Sequence, residues 1–195
     1  MNAIEIREML INALNPTYER KFGWTPSKNV YNISSLTHGA KAFLAMRERA
    51  PMKGFNRHLV RGSAIDELVK VRLEEWDSSN DNVLKWTLPY TWKNPTLHDI
   101  LLIGHYDLFK DDTILEVKAP ESEERFIQNG SMLRARRQVA AYATMKRLKM
   151  GKPIRAFIVT INSNILVSEL STDEIEHGWA DIRKTAYEVA KELDK

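Results

Sequence analysis

Apolar positions Ile4, Ile6, Leu10, Ile11 and Leu14 trace a short helical stripe that stops before Asn15-Pro16. An irregular, basic and aromatic stretch follows up to Tyr31. Ser34 or Ser35 can then cap a helix over 34–49 with Leu36, Phe43 and Leu44 inward, ended by the breakers Pro51 and Gly54. From Gly62 the positions Ile65, Leu68, Val69, Leu73 and Trp76 form the inner face of an amphipathic helix ending near 77–80.

The period then shortens. Three strand-like runs are expected at 83–90, 100–109 and 113–119, the last two joined across the turn-prone Lys110-Asp111-Asp112. A helical region over 121–150, interrupted near Asn129-Gly130, leads to a strand at 154–161, a turn at 162–164 and a further strand at 165–170. Ser171 to Glu174 reads as a capping box for a last helix. Its seam, Ile175, Trp179, Ile182, Ala186, Val189 and Leu193, should pack on the chain's own N-terminal helices or on a second subunit, which leaves a homo-oligomer open. The order helix, three strands, helix, strand predicts an α/β (α+β) class built on a mixed sheet flanked by helices. We expect one domain over 1–195, with a helical part at 1–60, a core at 61–161 and a C-terminal strand and helix at 162–195.

Composition narrows the chemistry. The 195 residues are 43% hydrophobic and 28% charged, as in a folded soluble protein. With no cysteine, thiolate zinc sites, cysteine nucleophiles and cysteine-held iron-sulfur clusters are excluded, and the five histidines lie too far apart to suggest a zinc pair. No apolar run suits a membrane span and the N-terminus does not resemble a signal segment, so an intracellular, cytoplasmic protein is expected. The net charge of +3 hides a segregation. Nine Lys or Arg against one acid lie between Arg20 and Ile65, and nine against none between Arg125 and Ser168. Such blocks suit a polyanionic partner, although solvated helix faces also vary in sign.

The third strand places Glu116 and Lys118 side by side on one face, at the sheet surface, and Leu115 and Val117 on the other. If that strand forms a hairpin with its predecessor, Asp107 can approach Glu116. Two adjacent carboxylates repel unless a cation lies between them, and oxygen ligation suits Mg²⁺ or Mn²⁺. Alone, a Glu-x-Lys triplet is weak evidence, and a surface ion pair explains it as well. Gln138 and Tyr142 share a helix face with Arg134, as a polar stripe or as a core tyrosine beside a solvated glutamine.

Taken in order, these residues resemble the PD-(D/E)XK nucleases, and within them the RecB-like group that includes the CRISPR-associated RecB-type exonucleases. Over 31–161, Tyr31-Asn32-Ile33-Ser34-Ser35-Leu36 resembles the family's Ser-x-Ser/Thr helix start, and Arg61-Gly62-Ser63-Ala64-Ile65-Asp66-Glu67 its Gly-x-x-x-His-Glu motif. Gly104-His105-Tyr106-Asp107 is similar to the second motif, with Tyr106 in place of the name-giving proline. Glu116-Val117-Lys118 is similar to the third, and Gln138-Val139-Ala140-Ala141-Tyr142 to the Gln-x-x-x-Tyr motif of the RecB-like group.

The resemblance implies a restriction-endonuclease-like core and a metal-dependent DNA exonuclease acting on single-stranded ends. Asp66, Asp107, Glu116 and the Val117 carbonyl would bind Mg²⁺ or Mn²⁺, and Lys118 would orient the attacking water. Gln138 and Tyr142 would position the substrate strand, and Arg61, Arg134 and Arg137 would meet the nucleic acid. Asp66 stands where the group has histidine, with Glu67 as the rival ligand. The absence of the group's cysteines implies a stand-alone, cluster-free member. A DNA-binding accessory protein that has lost turnover, or a junction resolvase, are the alternatives.

Overall fold

Alternating apolar residues build two sheets, and the chain passes from one to the other at Tyr106-Asp107. The computed structural model describes residues 28–48, 64, 65, 69 and 83–195. The expected helix at 3–14, most of the one from Gly62, and Arg61, Asp66 and Glu67 lie outside the described residues. In the first sheet β1 (Val30–Asn32) runs parallel to β3 (His98–His105), and β2 (Val83–Thr91) lies antiparallel on β3's other edge. The second sheet has the order β4 (Leu108–Lys110), β5 (Thr113–Lys118), β6 (Arg155–Ile161), β7 (Ile165–Glu169). Its central pair, β5 and β6, is parallel and the others are antiparallel.

The expected single strand at 100–109 is thus two strands in two sheets. Pairing of β3 with β2 reaches His105, and pairing of β4 with β5 begins at Leu108. Between them the Asp107 carboxylate accepts from the Val117 N–H at 2.7 Å. A side chain there takes the place of a ladder bond, and period-two patterning carries no trace of that exchange. The β4–β5 hairpin does form, turning through Asp111 at φ 56°. Aspartate is among the few side chains that tolerate this left-handed conformation.

The expected helix at 34–49 is likewise two. Asn32, rather than Ser34 or Ser35, is the cap: its Oδ1 accepts from the Ser34 N–H at 3.0 Å and opens the short α1 (Ile33–Leu36). Gly39, at φ 88°, then separates α1 from α2 (Ala40–Glu48). Leu36 and Phe43 are buried and Leu44 is packed against the core, as expected.

Between β5 and β6 the crossover contains α3 (Glu123–Gln128), capped by Ser122, and α4 (Ser131–Met150). A parallel pair needs such a connection. Val139, Ala140, Ala141, Ala143 and Met145 of α4 are buried in the core that includes Ile100, Leu102, Ile114 and Ile158. The last helix, α5 (Thr172–Leu193), begins with the expected capping box, in which Ser171 Oγ accepts from the Glu174 N–H and Glu174 Oε2 from the Ser171 N–H. Among the described residues its seam packs mainly on α4, with smaller contacts to α1 and α2, while the expected helix at 3–14 lies outside them. A Cβ on Gly178 would lie 2.6 Å from Ala140 Cβ, which shows how closely the two helices approach. Among the described residues no helix is long and apolar enough to cross a membrane.

Candidate active site

Along β5, Ile114, Glu116 and Lys118 share the face that α4 covers. Glu116 is only 1% exposed, so it does not lie at the sheet surface as expected; α4 buries it, while Lys118 keeps 29% of its side chain accessible. Burial of an ionised carboxylate is costly unless it is hydrogen-bonded and paired. Both partners are present. Lys118 Nζ is ion-paired with Glu116 Oε1, and Gln138 Nε2 donates to the same oxygen at 2.7 Å.

Gln138 also reaches Tyr142 Oη at 3.0 Å, so the two residues expected to share a helix face do so and are joined through their side chains. Tyr142 is 1% exposed and belongs to the core cluster. It therefore presents no face to a passing nucleic-acid strand, contrary to the direct positioning role that the motif suggests. Burial, first, and the negative charge of Glu116, second, hold its phenol well above the ordinary range, against the smaller opposing effect of the Gln138 hydrogen bond. Tyr142 thus stays a neutral hydroxyl beside two acids, since Asp107 acts on it in the same direction.

Asp107 reaches the site from the bend between sheets. Its bond to the Val117 N–H places it next to Glu116 along the strand, and in a strand the N–H and C=O of one residue face the same edge, so Val117 turns its carbonyl toward Asp107's side. Asp107, Glu116, Val117, Lys118, Gln138 and Tyr142 are thus brought into one cluster.

The arginines divide. Arg134 bonds the Asn129 carbonyl at 3.1 Å and Ser131 Oγ at 2.6 Å beside the start of α4. Arg137 turns toward α5 and pairs with Asp181 at 2.9 Å.

Two participants were missed. Gly104 backs the Tyr142 ring: a Cβ there would overlap Tyr142 Cε1 and stand 2.9 Å from Cδ1 and 3.1 Å from Ile33 Cδ1. A glycine inside an otherwise apolar strand is a readable signal of such an approach. Lys146, one turn beyond Tyr142, donates to Tyr106 Oη at 3.3 Å, and its four-residue spacing from Tyr142 could have marked it.

No family model and no curated protein sequence matches the chain. Among solved structures, the protein SSO0001 superposes with a TM-score of 0.60 at 14% identity, covering 97% of this chain and 87% of its own. An Eubacterium rectale protein named "Putative exonuclease" superposes with a TM-score of 0.62 at 10% identity, covering 92% and 88%. These likenesses and the two mixed sheets flanked by helices show a restriction-endonuclease-like core.

Proposed function

We propose that the chain is a divalent-metal-dependent deoxyribonuclease of the RecB-like kind, acting on single-stranded ends. The observation that carries this reading is the convergence of Asp107, from the bend between the sheets, and Glu116, from β5, beside an accessible Lys118. An ion pair alone would not require a second carboxylate at the same strand edge. The donors are all hard oxygens, the two carboxylates and the Val117 carbonyl, and fit Mg²⁺ or Mn²⁺. The described residues supply two acids, and no cluster of three metal-ligating side chains occurs among them. Asp66, outside the described residues, is the proposed third, with Glu67 its rival. A bound metal would polarise the scissile phosphate and lower the pKa of a water.

The chain's own residues do the remaining work. Gln138 and Lys118 hold the buried Glu116 carboxylate in place, and the accessible Lys118 ammonium stands ready to orient water or to meet charge developing on the phosphate. Tyr142, always neutral, fixes Gln138. Substrate positioning thus passes from Tyr142 to the rim of the site, where Arg134 stands one helical turn before Gln138 on α4. The name of the Eubacterium rectale neighbour supports exonucleolytic action.

The test is cleavage of end-labelled single- and double-stranded DNA with Mg²⁺, Mn²⁺ or EDTA. Cleavage should require the cation and favour single strands. Asp107→Ala, Glu116→Gln and Lys118→Ala should each lower the rate about 100-fold or more while leaving DNA binding intact. If Lys118→Ala keeps a tenth of the activity, Lys118 has no part in the mechanism, and if the wild-type chain binds DNA without cutting it under any cation, the accessory-protein reading replaces this one.

A further inference from the structure

Lys146 lies on the α4 face that carries Gln138 and Tyr142, but belongs to none of the five motifs. Its ammonium stands 3.9 Å from the centroid of the Phe109 ring and 4.9 Å from that of Tyr106, and donates to Tyr106 Oη at 3.3 Å. The two rings meet edge to face, 6.0 Å apart, and both are buried. A half-buried cation over aromatic faces is in a favourable place that a phosphate-binding lysine would have to leave.

The location matters as much as the contact. Tyr106 and Asp107 are the two residues of the bend between sheets, beyond the β3 ladder and before that of β4. Asp107 is fastened to β5 by the Val117 N–H and Tyr106 to α4 by Lys146. We infer that Lys146 is a positioning residue for Asp107: through Tyr106 and Phe109 it pins the bend to α4, so that the carboxylate keeps its aim on the Val117 edge of β5. The consequence for catalysis rests on the nuclease reading above, whereas the pinning itself does not.

The experiment therefore has two arms. Hydrogen exchange of the Val117 amide reports the Asp107 contact without any cleavage. Lys146→Met, which keeps a long apolar stem, should speed that exchange about tenfold while leaving the Ile158 amide in β6 unchanged, and Lys146→Arg, which keeps a cation over the rings, should restore protection. Tyr106→Phe, which removes only the hydroxyl, should give part of the effect. Unchanged protection at Val117, or equal acceleration at Val117 and Ile158, overturns the inference whether or not the chain cuts DNA. In the cleavage arm, Lys146→Met should lower kcat about 10-fold with KM for DNA unchanged, as for partners that orient ligating side chains. A raised KM with unchanged kcat would make Lys146 a phosphate contact and overturn the assignment. A wild-type chain that does not cleave, with Val117 exchange responding as expected, would sink the nuclease reading and leave the pinning in place.

Discussion

At the scale of single residues the site depends on small volumes. Gly104 is the only side-chain choice that leaves the Tyr142 ring where Gln138 can reach its hydroxyl, because any Cβ would enter the ring's space and Ile33 closes the other side. Gly104→Ala should therefore destabilise the fold by about 1–3 kcal/mol, as overpacking of a tight core does. Chemical denaturation measures that loss. It should also cost activity beyond the loss of folded protein, since moving Tyr142 moves the hydrogen bonds that hold Glu116. A Gly104→Ala protein as stable and active as the wild type would show that the ring moves aside at no cost.

At the scale of elements, α5 and α4 meet through residues with almost no side chain. Gly178→Ala would ordinarily stabilise a helix interior by about 1 kcal/mol, but here the new methyl lies 2.6 Å from Ala140 Cβ, neither of them flexible. We expect a net loss of about 1–3 kcal/mol. Ala140→Gly in the same protein should recover part of it, and a double-mutant cycle measures the coupling. Strict additivity would mean that the helices simply separate.

Most elements were legible because their signals are local. The capping box at Ser171, the interruption at Asn129-Gly130 and the strands beginning at Val83 and Thr113 all stand where the pattern put them. What was not legible depends on partners distant in the chain. The bend at Tyr106-Asp107 is held by Val117 and Lys146, and Asn32 competes with Ser34 and Ser35 for one cap position that all three could fill by type. Residue types and order marked Asp107, Glu116, Lys118, Gln138 and Tyr142, but neither Glu116's burial nor Tyr142's enclosure follows from β5 or α4 alone. Each needs the other element in place.

Across the whole molecule the charge segregation softens. The stretch from Arg125 to Ser168 carries no acid of its own, yet Arg136 pairs with Glu174, Arg137 with Asp181 and Arg155 with Glu169, all from the segment that follows. The sequence separates by position what the fold brings together in space. Such exposed pairs add little stability, but they lower the charge available to a polyanion. Arg134, whose partners among the described residues are the neutral Asn129 carbonyl and Ser131 hydroxyl, is the better candidate for a phosphate. Measured against the logarithm of salt concentration, the logarithm of single-stranded DNA affinity should lose about 0.7 units of slope in Arg134→Ala. Arg137→Ala should leave the slope near the wild-type value. The opposite ranking would place the nucleic acid on the α5 side of the molecule.

The two acids also differ in when their surroundings can form. Asp107 and Val117 are 10 residues apart across one hairpin, whereas Glu116 and Gln138 are 22 apart and meet only when α4 docks. Short loops close sooner than long ones. On that ground we expect the carboxylates to come together first, in water, and Glu116 to lose its hydration when α4 docks. Gln138 arrives in that same step, on the helix that displaces the water, so the acid passes from solvent to its hydrogen-bond donor without an interval in which it is buried and unsupported. Such an order of assembly would serve the same end as the finished geometry, which gives the buried carboxylate its partners.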